Sequence, residues 1–320
     1  MTARSLLAAS AFALLAPTSS CASAQSTGTV EAVPQIDRDR LLADARVLSA
    51  DSLEGRAAGT AGGRKARAYV MAAFSRIGLT PFEGGFERPF TTTVKSGAGA
   101  AAANVVGFLR GSELPDRYLV VTAHYDHLGV HDGQIFNGAD DNASGTSGLL
   151  ALAAYFAEHR PRHSILFAAL DAEELGLQGA RAFVASPPVP KSALALDVNM
   201  DMVGRNERGE LYAAGTHHYP SLKPLVQRVA ARAPVKLLLG HDTPGLPPGD
   251  DWTNSSDHGP FHAAGIPFVY FGVEDHADYH KPTDDFDKMP PEFYVSAVRT
   301  VADFVAEADR TLDGGGAARH

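Results

Sequence analysis

The sequence predicts a single α/β domain, a three-layer sandwich in which helices cover both faces of a central, mostly parallel, twisted sheet. Two observations predict this fold class. From residue 103 onward, apolar runs of strand length alternate with segments of helical spacing, the pattern of a sheet covered on both faces. The length of 320 residues suits one large domain of this class, and no internal repeat or second composition regime interrupts it.

The elements are predicted in chain order. Helical spacing of apolar residues runs through 38–78, interrupted by a glycine-rich loop, EGRAAGTAGG, at 54–63. This loop lacks a GxGxxG pattern and follows no strand, so no phosphate cradle is predicted there. Strand candidates follow at 104–109, 117–123, 163–170, 192–200 and 266–272. Helix candidates lie between or after them, at 144–159, 175–186, 220–233 and 290–309. The stretch 240–260, rich in Pro, Gly and Asp, is predicted to be a long functional loop.

The N-terminus has the layout of a secretory signal peptide over residues 1–24, with one arginine, an apolar run and a final Ala-Ser-Ala before Gln25. The apolar run is shorter than the ~20 residues that a membrane-spanning helix needs, so no transmembrane segment is predicted. The protein is expected to be exported, to the periplasm or the medium, although Cys21 could instead carry a lipid anchor. Residues 25–40 are predicted to be a flexible linker and 311–320 a disordered tail.

Charge and cysteine content narrow the possible functions. A formal charge of −9 argues against a nucleic-acid partner, because phosphate binding requires a basic surface. Cys21 is the only cysteine, so a chain that loses it with the signal peptide has no disulfides. Any metal ion would then be bound by nitrogen and oxygen ligands.

Polar clusters rich in acids and histidines accompany the strand candidates. They are HYDHLG at 124–129, NGADDNASG at 137–145, DAEELG at 171–176, NMDMVGR at 199–205 and DYHKPTDD at 278–285. Each alone has an ordinary explanation, such as a turn, a helix N-cap, an acidic first helical turn or an exposed histidine. Together they would converge at the carboxyl edge of the sheet, where open α/β folds bind ligands. Histidines and carboxylates without cysteine are a ligand set that suits a pair of Zn²⁺ ions.

Five motifs in this order resemble the co-catalytic di-zinc aminopeptidases of bacteria, a family that also includes glutamate carboxypeptidase and the glutaminyl cyclases. The motifs are H-x-D at 124–126, G-x-D-D-N-x-S-G at 138–145, E-E-L-G at 173–176, N-x-D-M-x-G at 199–204 and Y-H-K-P-T-D at 279–284. The resemblance runs over about 41–304. It implies a zinc-exopeptidase fold, a catalytic domain at 41–310 and two bound Zn²⁺ ions.

The resemblance also implies a ligand for each ion. His124 and Asp201 would hold one zinc, Glu174 and His280 would hold the other, and Asp141 would bridge them. Its neighbour Asp140 is the second candidate for the bridge.

Further residues receive roles from the same resemblance. Asp126 would accept the other ring N–H of the first histidine ligand, and Glu173 would be the catalytic base rather than a ligand. Tyr279 matches a tyrosine that assists the reaction in some relatives, with simple packing as the alternative. His127 and His131 flank the first motif and are expected to be structural. Asp257 and His258 are expected to organise the pocket. The remaining histidines have no motif context.

The function predicted from this reading is an exported zinc aminopeptidase that acts on peptide substrates. A glutaminyl cyclase with one zinc is the first alternative. A carboxypeptidase that prefers acidic C-terminal residues is the second, although only Arg205 and Lys281 near the motifs could supply the basic groups it needs. A metal-binding module without enzymatic activity is the third, but it would have no use for the unligated Glu173.

Overall fold

The computed structural model describes residues 1–2, 33–93, 100–247 and 249–312 of the chain. The helices are α1 (Arg38–Leu48), α2 (Ala61–Ile77), α3 (Gly145–Glu158), α4 (Gln178–Ala185), α5 (Lys223–Ala230), α6 (His258–Ala263) and α7 (Pro291–Thr311). Short helical turns at Asp51–Arg56 and Ala139–Ser144 precede α2 and α3.

The strands are β1 (Thr80–Pro81), β2 (Glu87–Thr91), β3 (Ala101–Leu109), β4 (Leu114–His124), β5 (Gly129–His131), β6 (Gln134–Phe136), β7 (His163–Leu170), β8 (Leu194–Met200), β9 (Glu210–Ala214), β10 (Lys236–Leu239) and β11 (Phe268–Gly272). β5 and β6 form a separate hairpin, and the other nine strands form one sheet. The order in that sheet is β1-β3-β7-β4-β8-β11-β9-β10, with β2 also pairing with β3.

The centre of the sheet consists of four mutually parallel strands, β7, β4, β8 and β11. Their carboxyl ends are nearly level, because His124 lies opposite Leu170 on β7 and Met200 lies opposite Phe271 on β11. The loops that leave these strands therefore begin at one edge of the sheet.

Successive side chains of the central strands point to opposite faces of the sheet, and they form one apolar layer on each face. On β7, Ile165 and Phe167 belong to the larger core cluster, and Leu166 and Ala168 belong to the smaller one. The larger cluster also receives apolar residues from α1, α2, α3, α5 and α7, and the smaller one from α4 and α6. Every residue of β7 is buried, which explains why its sequence is an uninterrupted apolar run. The predicted α/β class, with helices on both faces, is confirmed.

The sheet is mixed rather than parallel throughout. β3 runs antiparallel to β7, and β9 runs antiparallel to β11. The short strands β9 and β10 were not predicted, because four or five residues are too few to show a clear period in the sequence. The last residues of the predicted loop 240–260 belong to a helix instead, because α6 begins at His258.

The N-terminal boundaries differ slightly from the prediction. α1 begins at Arg38, inside the segment 25–40 that was predicted as a linker, and Asp37 caps it by accepting a hydrogen bond from the amide of Arg40. The predicted signal peptide beyond residue 2, Cys21, and residues 313–320 of the predicted tail lie outside the described residues. Within the described ranges, no helix has the length and apolar character needed to cross a membrane.

Candidate active site

The polar clusters of the sequence meet at the carboxyl edge of the central strands. His124 is the last residue of β4, Asp201 follows β8, and the pair Glu173–Glu174 lies three residues beyond β7. Asp141 lies in the helical turn before α3, and its peptide bond to Asn142 is cis.

One group of possible ligands is centred on His124. Its Nε2 lies 3.2 Å from Oδ1 of Asp201 and 3.4 Å from Oδ1 of Asp141. All three residues are buried, and the ligand atoms lie within 4.8 Å of one another, close enough to share a cation. Burial alone would lower the pKa of His124, but the surrounding carboxylates raise it well above its usual value.

A second group lies on the other side of Asp141. His280 Nε2 is 3.1 Å from Oδ2 of Asp141 and 3.4 Å from Oε2 of Glu174. The side chain of His280 is 38% exposed, so this group faces the solvent more than the first.

Asp141 therefore presents one carboxylate oxygen to each group, as a bridging ligand must. Burial would raise the pKa of Asp141, but His127, His124 and His280 hold it well below its usual range. Two imidazoles, two terminal carboxylates and one carboxylate between them form an all-nitrogen-and-oxygen donor set suited to two Zn²⁺ ions. The residues present fit the cofactor that the sequence predicts.

Asp140, the alternative bridge, is turned away from both histidines of these groups. Its Oδ1 accepts a hydrogen bond from the amide of Gly204 at 2.6 Å, and its Oδ2 lies 3.1 Å from Nε2 of His276. Asp284 in turn accepts the amides of Asp140 and Asp141. Asp140 thus connects the turn Ala139–Ser144, which carries Asp141, to Gly204 and His276.

Asp126 lies behind His124, but its nearer oxygen is the backbone carbonyl and not the carboxylate that was predicted to accept the ring N–H. The Nδ1 atom of His124 lies 3.2 Å from the backbone carbonyl of Asp126 and 3.7 Å from its carboxylate. At the shorter distance, the carbonyl is the acceptor for the ring N–H. The carboxylate accepts the amide of Glu173 at 3.0 Å and the amide of Glu174 at 3.4 Å. Asp126 thus fixes the backbone of the glutamate pair.

The two glutamates face different surroundings. Glu174 lies between His127 and His280, whereas the carboxylate of Glu173 belongs to neither group of possible ligands. Both glutamates line the same cavity. Burial raises the pKa of Glu173 well above its usual value, which suits a group that exchanges protons.

His127 is closer to the site than the sequence suggested. Its Nδ1 lies 2.7 Å from Oε1 of Glu174 and 3.8 Å from Oδ2 of Asp141, and its side chain is buried. It either orients Glu174 or offers a further nitrogen to the second group. The sequence carried one signal for this role, a histidine three residues after the first ligand. By contrast, His131 is exposed on β5 and bonds to the carbonyl of Leu128.

Several non-glycine residues next to the site have left-handed backbone conformations. Their φ angles are 60° at Ala172, 60° at Leu177, 58° at Met202 and 53° at His280. Such conformations are unfavourable for side chains with a Cβ and concentrate at functional sites. Here they allow the chain to turn sharply where the ligand-bearing segments leave the sheet.

A cavity of about 400 Å³ opens over the two groups. Its apolar wall contains Met202, Trp252, Tyr270, Val273 and Tyr279. The ring of Tyr279 stacks on His280 with 3.9 Å between centroids, so packing is its observed contact, and the same ring lines the cavity.

Trp252, the only tryptophan of the chain, is held from several sides. His241 stacks on it with 3.6 Å between centroids, and Tyr270 meets it edge-on. The buried His258 donates from Nε2 to the carbonyl of Trp252 at 2.7 Å, and burial lowers the pKa of His258 to about 4. Its neighbour Asp257 is also fully buried, which raises its pKa to about 7. His258 thus positions the wall of the cavity.

The two basic residues considered for carboxylate recognition do not line this cavity. Arg205 pairs with Asp278 at 2.5 Å and lines a separate depression. Lys281 donates to the carbonyl of Ala277. Among the described residues that line the cavity, none is Arg or Lys.

The chain is similar in sequence to known zinc peptidases. Peptidase family M28 matches residues 104–305. The chain is 29% identical over 214 residues to a probable zinc metalloprotease of Leptosphaeria maculans, covering 58% of this chain and 48% of that protein. It is 30% identical over 234 residues to aminopeptidase YwaD of Bacillus subtilis strain 168, covering 69% of this chain and 48% of that one. The chain thus spans about half the length of these two curated relatives.

Solved structures show the same fold. Glutaminyl cyclase of Porphyromonas gingivalis superposes with a TM-score of 0.70 at 19% identity, covering 85% of this chain and 98% of that one.

Proposed function

Because the chain belongs to peptidase family M28, we propose that it is a zinc-dependent aminopeptidase that hydrolyses the N-terminal bond of peptides. The observation that carries the proposal is the position of Asp141, with one carboxylate oxygen at His124 and the other at His280. Two ligand groups that share a carboxylate support two ions rather than one.

The bound ions would supply Lewis acidity, polarising the scissile carbonyl and making water easier to deprotonate. His124, Asp201 and Asp141 would hold one ion, and Asp141, Glu174 and His280 the other. The chain's own contribution to proton transfer is Glu173, whose carboxylate lines the cavity beside both groups. It would take a proton from the attacking water and return it to the leaving amine.

The cavity favours an aminopeptidase over a carboxypeptidase. A carboxypeptidase must neutralise the C-terminal carboxylate of its substrate, usually with a basic side chain. The described lining instead contains Asp275 as a further acid, which would attract the ammonium group of a peptide N-terminus. Asp201 beside His124 supports hydrolysis over the one-zinc cyclase reaction, because it completes the first ligand group.

The decisive experiment incubates a defined peptide mixture with the zinc-loaded protein and follows the products by mass spectrometry. We expect ladders that shorten from the N-terminus, abolished by a chelator and restored by Zn²⁺. Ladders from the C-terminus would show a carboxypeptidase, and loss of ammonia from N-terminal glutamine would show a cyclase. Either result would overturn the proposal.

We also propose that the protein is exported by a signal peptide at residues 1–24. The support is the sequence pattern alone: one arginine, a short apolar run and Ala-Ser-Ala before Gln25. Expression of the full chain in a bacterial host, followed by N-terminal sequencing, should give Gln25 as the first residue. Cleavage directly before Cys21, with incorporation of a labelled fatty acid, would show a lipid anchor instead.

A further inference from the structure

Arg56 is one of the largest fully buried side chains of the described residues, with 1% exposure. It lies in the helical turn Asp51–Arg56, within the glycine-rich segment that follows α1. A buried guanidinium is costly unless its charge and its N–H groups find partners. The guanidinium group must therefore have partners inside the protein that offset the cost of its burial.

All the hydrogen bonds that the guanidinium group forms with described residues go to backbone carbonyls. Nε donates to Tyr125 at 2.9 Å, and Nη2 donates to Gly138 at 2.9 Å. Nη1 donates to Leu48 at 2.6 Å and to Asn137 at 2.5 Å. Four carbonyls from three separate segments thus converge on one planar group.

Two of those segments carry the predicted ligands. Tyr125 lies between His124 and Asp126, and Gly138 lies three residues before Asp141. The first segment follows the end of β4, where the amide of Tyr125 donates to the carbonyl of Leu170 on β7 at 2.8 Å, and the second precedes α3 outside the sheet. Arg56 connects them directly.

The charge of Arg56 is balanced by the site itself. Burial lowers the pKa of Arg56 to about 10, and nearby carboxylates, first Asp141 and then Asp126, oppose that effect. The side chain therefore remains a cation at neutral pH. It lies behind a cluster of carboxylates that would otherwise repel one another.

The backbone around Arg56 is shaped to bring it there. Glu54, Gly55 and Arg56 all have left-handed φ angles, of 52°, 63° and 55°. A Cβ on Gly55 would lie 2.5 Å from the carbonyl oxygens of Gly129 and Phe136, so only glycine permits this close approach. The strain is confined to the turn that inserts the guanidinium beneath the site.

We propose that Arg56 is a positioning residue of the metal centre, which holds His124 and Asp141 at the separation that their shared ion requires. The proposal rests on the function proposed above, because it assumes that these residues bind a metal. Lysine cannot replace arginine here, since an ammonium group has no planar fork for carbonyls of separate segments.

The test is the zinc affinity of Arg56→Lys, measured by competition with a chromophoric chelator at a temperature where the variant is folded by circular dichroism. We expect the dissociation constant to rise by about 10- to 100-fold, as is typical when a group that orients metal ligands is lost. The absorption spectrum of the Co²⁺-substituted protein should change as well. Unchanged affinity and an unchanged spectrum would overturn the proposal.

Arg162→Lys is the matched control. Arg162 also donates to backbone carbonyls, those of Asp309 and Arg310, but it lies at the opposite end of the sheet, just before β7. We expect this variant to lose stability without a change in zinc affinity. Equal losses of affinity in both variants would show a general effect on folding and would count against a specific role for Arg56.

A measurement on the unaltered protein covers the case in which Arg56→Lys does not fold. Coupling between two sites is reciprocal, so an arginine that orders the metal site must itself be ordered by the metal. Hydrogen exchange of a peptide spanning 53–60 should slow on addition of Zn²⁺, while that of a peptide spanning 159–166 should not. No change in 53–60 would overturn the proposal.

Failure of this inference can be distinguished from failure of the proposed function. If the unaltered protein binds no zinc, the proposed metal centre is wrong and the inference falls with it. If it binds zinc and cleaves peptides while Arg56→Lys binds equally well, only the positioning role is wrong.

Discussion

Adjacent glutamates have separate environments because Asp126 fixes the backbone between them. Its carboxylate accepts the amides of Glu173 and Glu174, which orients the two side chains differently as they leave the strand. One carboxylate lies against His127 and His280, and the other lines the cavity outside both ligand groups. This difference in surroundings gives a structural reason for the proposed roles, with Glu174 as a ligand and Glu173 as the base.

Replacing Glu173 with glutamine should separate proton transfer from metal binding. The amide keeps the shape of the side chain but cannot accept the proton of water, so kcat should fall by about 10²- to 10⁴-fold. Metal content, measured by plasma mass spectrometry, should remain at two zinc ions per chain. Glu174→Gln is the matched control and should lose zinc. A Glu173→Gln protein with two zinc ions and full activity would show that another group is the base.

Trp252 should select large apolar residues at the N-terminus of the substrate. Its ring forms part of the cavity wall and stacks on His241, and its backbone carbonyl accepts a hydrogen bond from His258. Trp252→Ala should lower kcat/KM for leucyl and phenylalanyl amides by roughly 10- to 100-fold, the range for lost apolar contacts in a pocket. The same variant should cleave alanyl amide at nearly the unaltered rate. Equal losses on all three substrates would contradict a role in side-chain selection.

At the scale of elements, α7 is bound to α5 and to the turn that follows α5 by a network of ion pairs. Arg232 contacts Asp303 and Glu307, and Glu307 also accepts from Arg228 and Arg310. Burial would raise the pKa of Glu307, but the three arginines lower it to about 2. Several charges sharing partly buried partners stabilise more than isolated surface pairs do.

This network predicts a pH-dependent contribution to stability. The ordinary pKa of Glu is about 4.3, so Glu307 stabilises the fold fully above that pH and loses its effect as pH falls toward 2. Glu307→Gln should lower the free energy of unfolding by about 2 kcal/mol at pH 7. Urea unfolding of both proteins from pH 7 down to pH 3 should show the difference shrinking only below about pH 4.5. A difference that stays constant to pH 3 would contradict the ion-pair explanation.

The strands that were predicted correctly have long buried stretches. All of β7 and residues 119–124 of β4 are buried, so their apolar runs are continuous, and the prediction for 163–170 matched β7 residue for residue. β9 and β10 are short, and β10 is partly exposed, so their sequences carry little period. α6, with six residues, is hidden within a segment rich in glycine and proline.

For the residues of the site, too, the sequence predicts only what a local pattern encodes. The residues predicted as ligands follow strand ends and lie in recognisable motifs, so the sequence could point to them. The roles of Arg56 and His127 depend on contacts between segments 47–82 positions apart, which no local pattern encodes. Asp126 shows a further limit, because its motif predicted a bond to His124 that its backbone carbonyl makes instead.

At the scale of the whole molecule, the side chains of the site concentrate negative charge in a protein that is already acidic. Asp141, Glu173, Glu174 and Asp201 line one cavity, and burial gives each ionised carboxylate a free-energy cost. Arg56 offsets part of this repulsion from behind the site. Divalent cations would remove most of the remainder.

Zinc should therefore stabilise the entire domain. A ligand that binds only the folded state adds RT ln(1 + [L]/Kd), about 2.7 kcal/mol per site at a hundredfold excess over Kd. For a domain of this size that corresponds to a rise in Tm of roughly 5 °C per site.

Differential scanning fluorimetry of chelator-treated protein with increasing Zn²⁺ should show this rise, and Mg²⁺ at the same concentrations should not reproduce it, since it prefers oxygen ligands. Asp141→Asn is the control variant, because an amide has a single oxygen and no charge with which to bridge two ions. Its Tm should respond only weakly to zinc. A Tm that is independent of zinc in the unaltered protein would contradict the metal centre, because no ion could bind the folded site tightly without stabilising it.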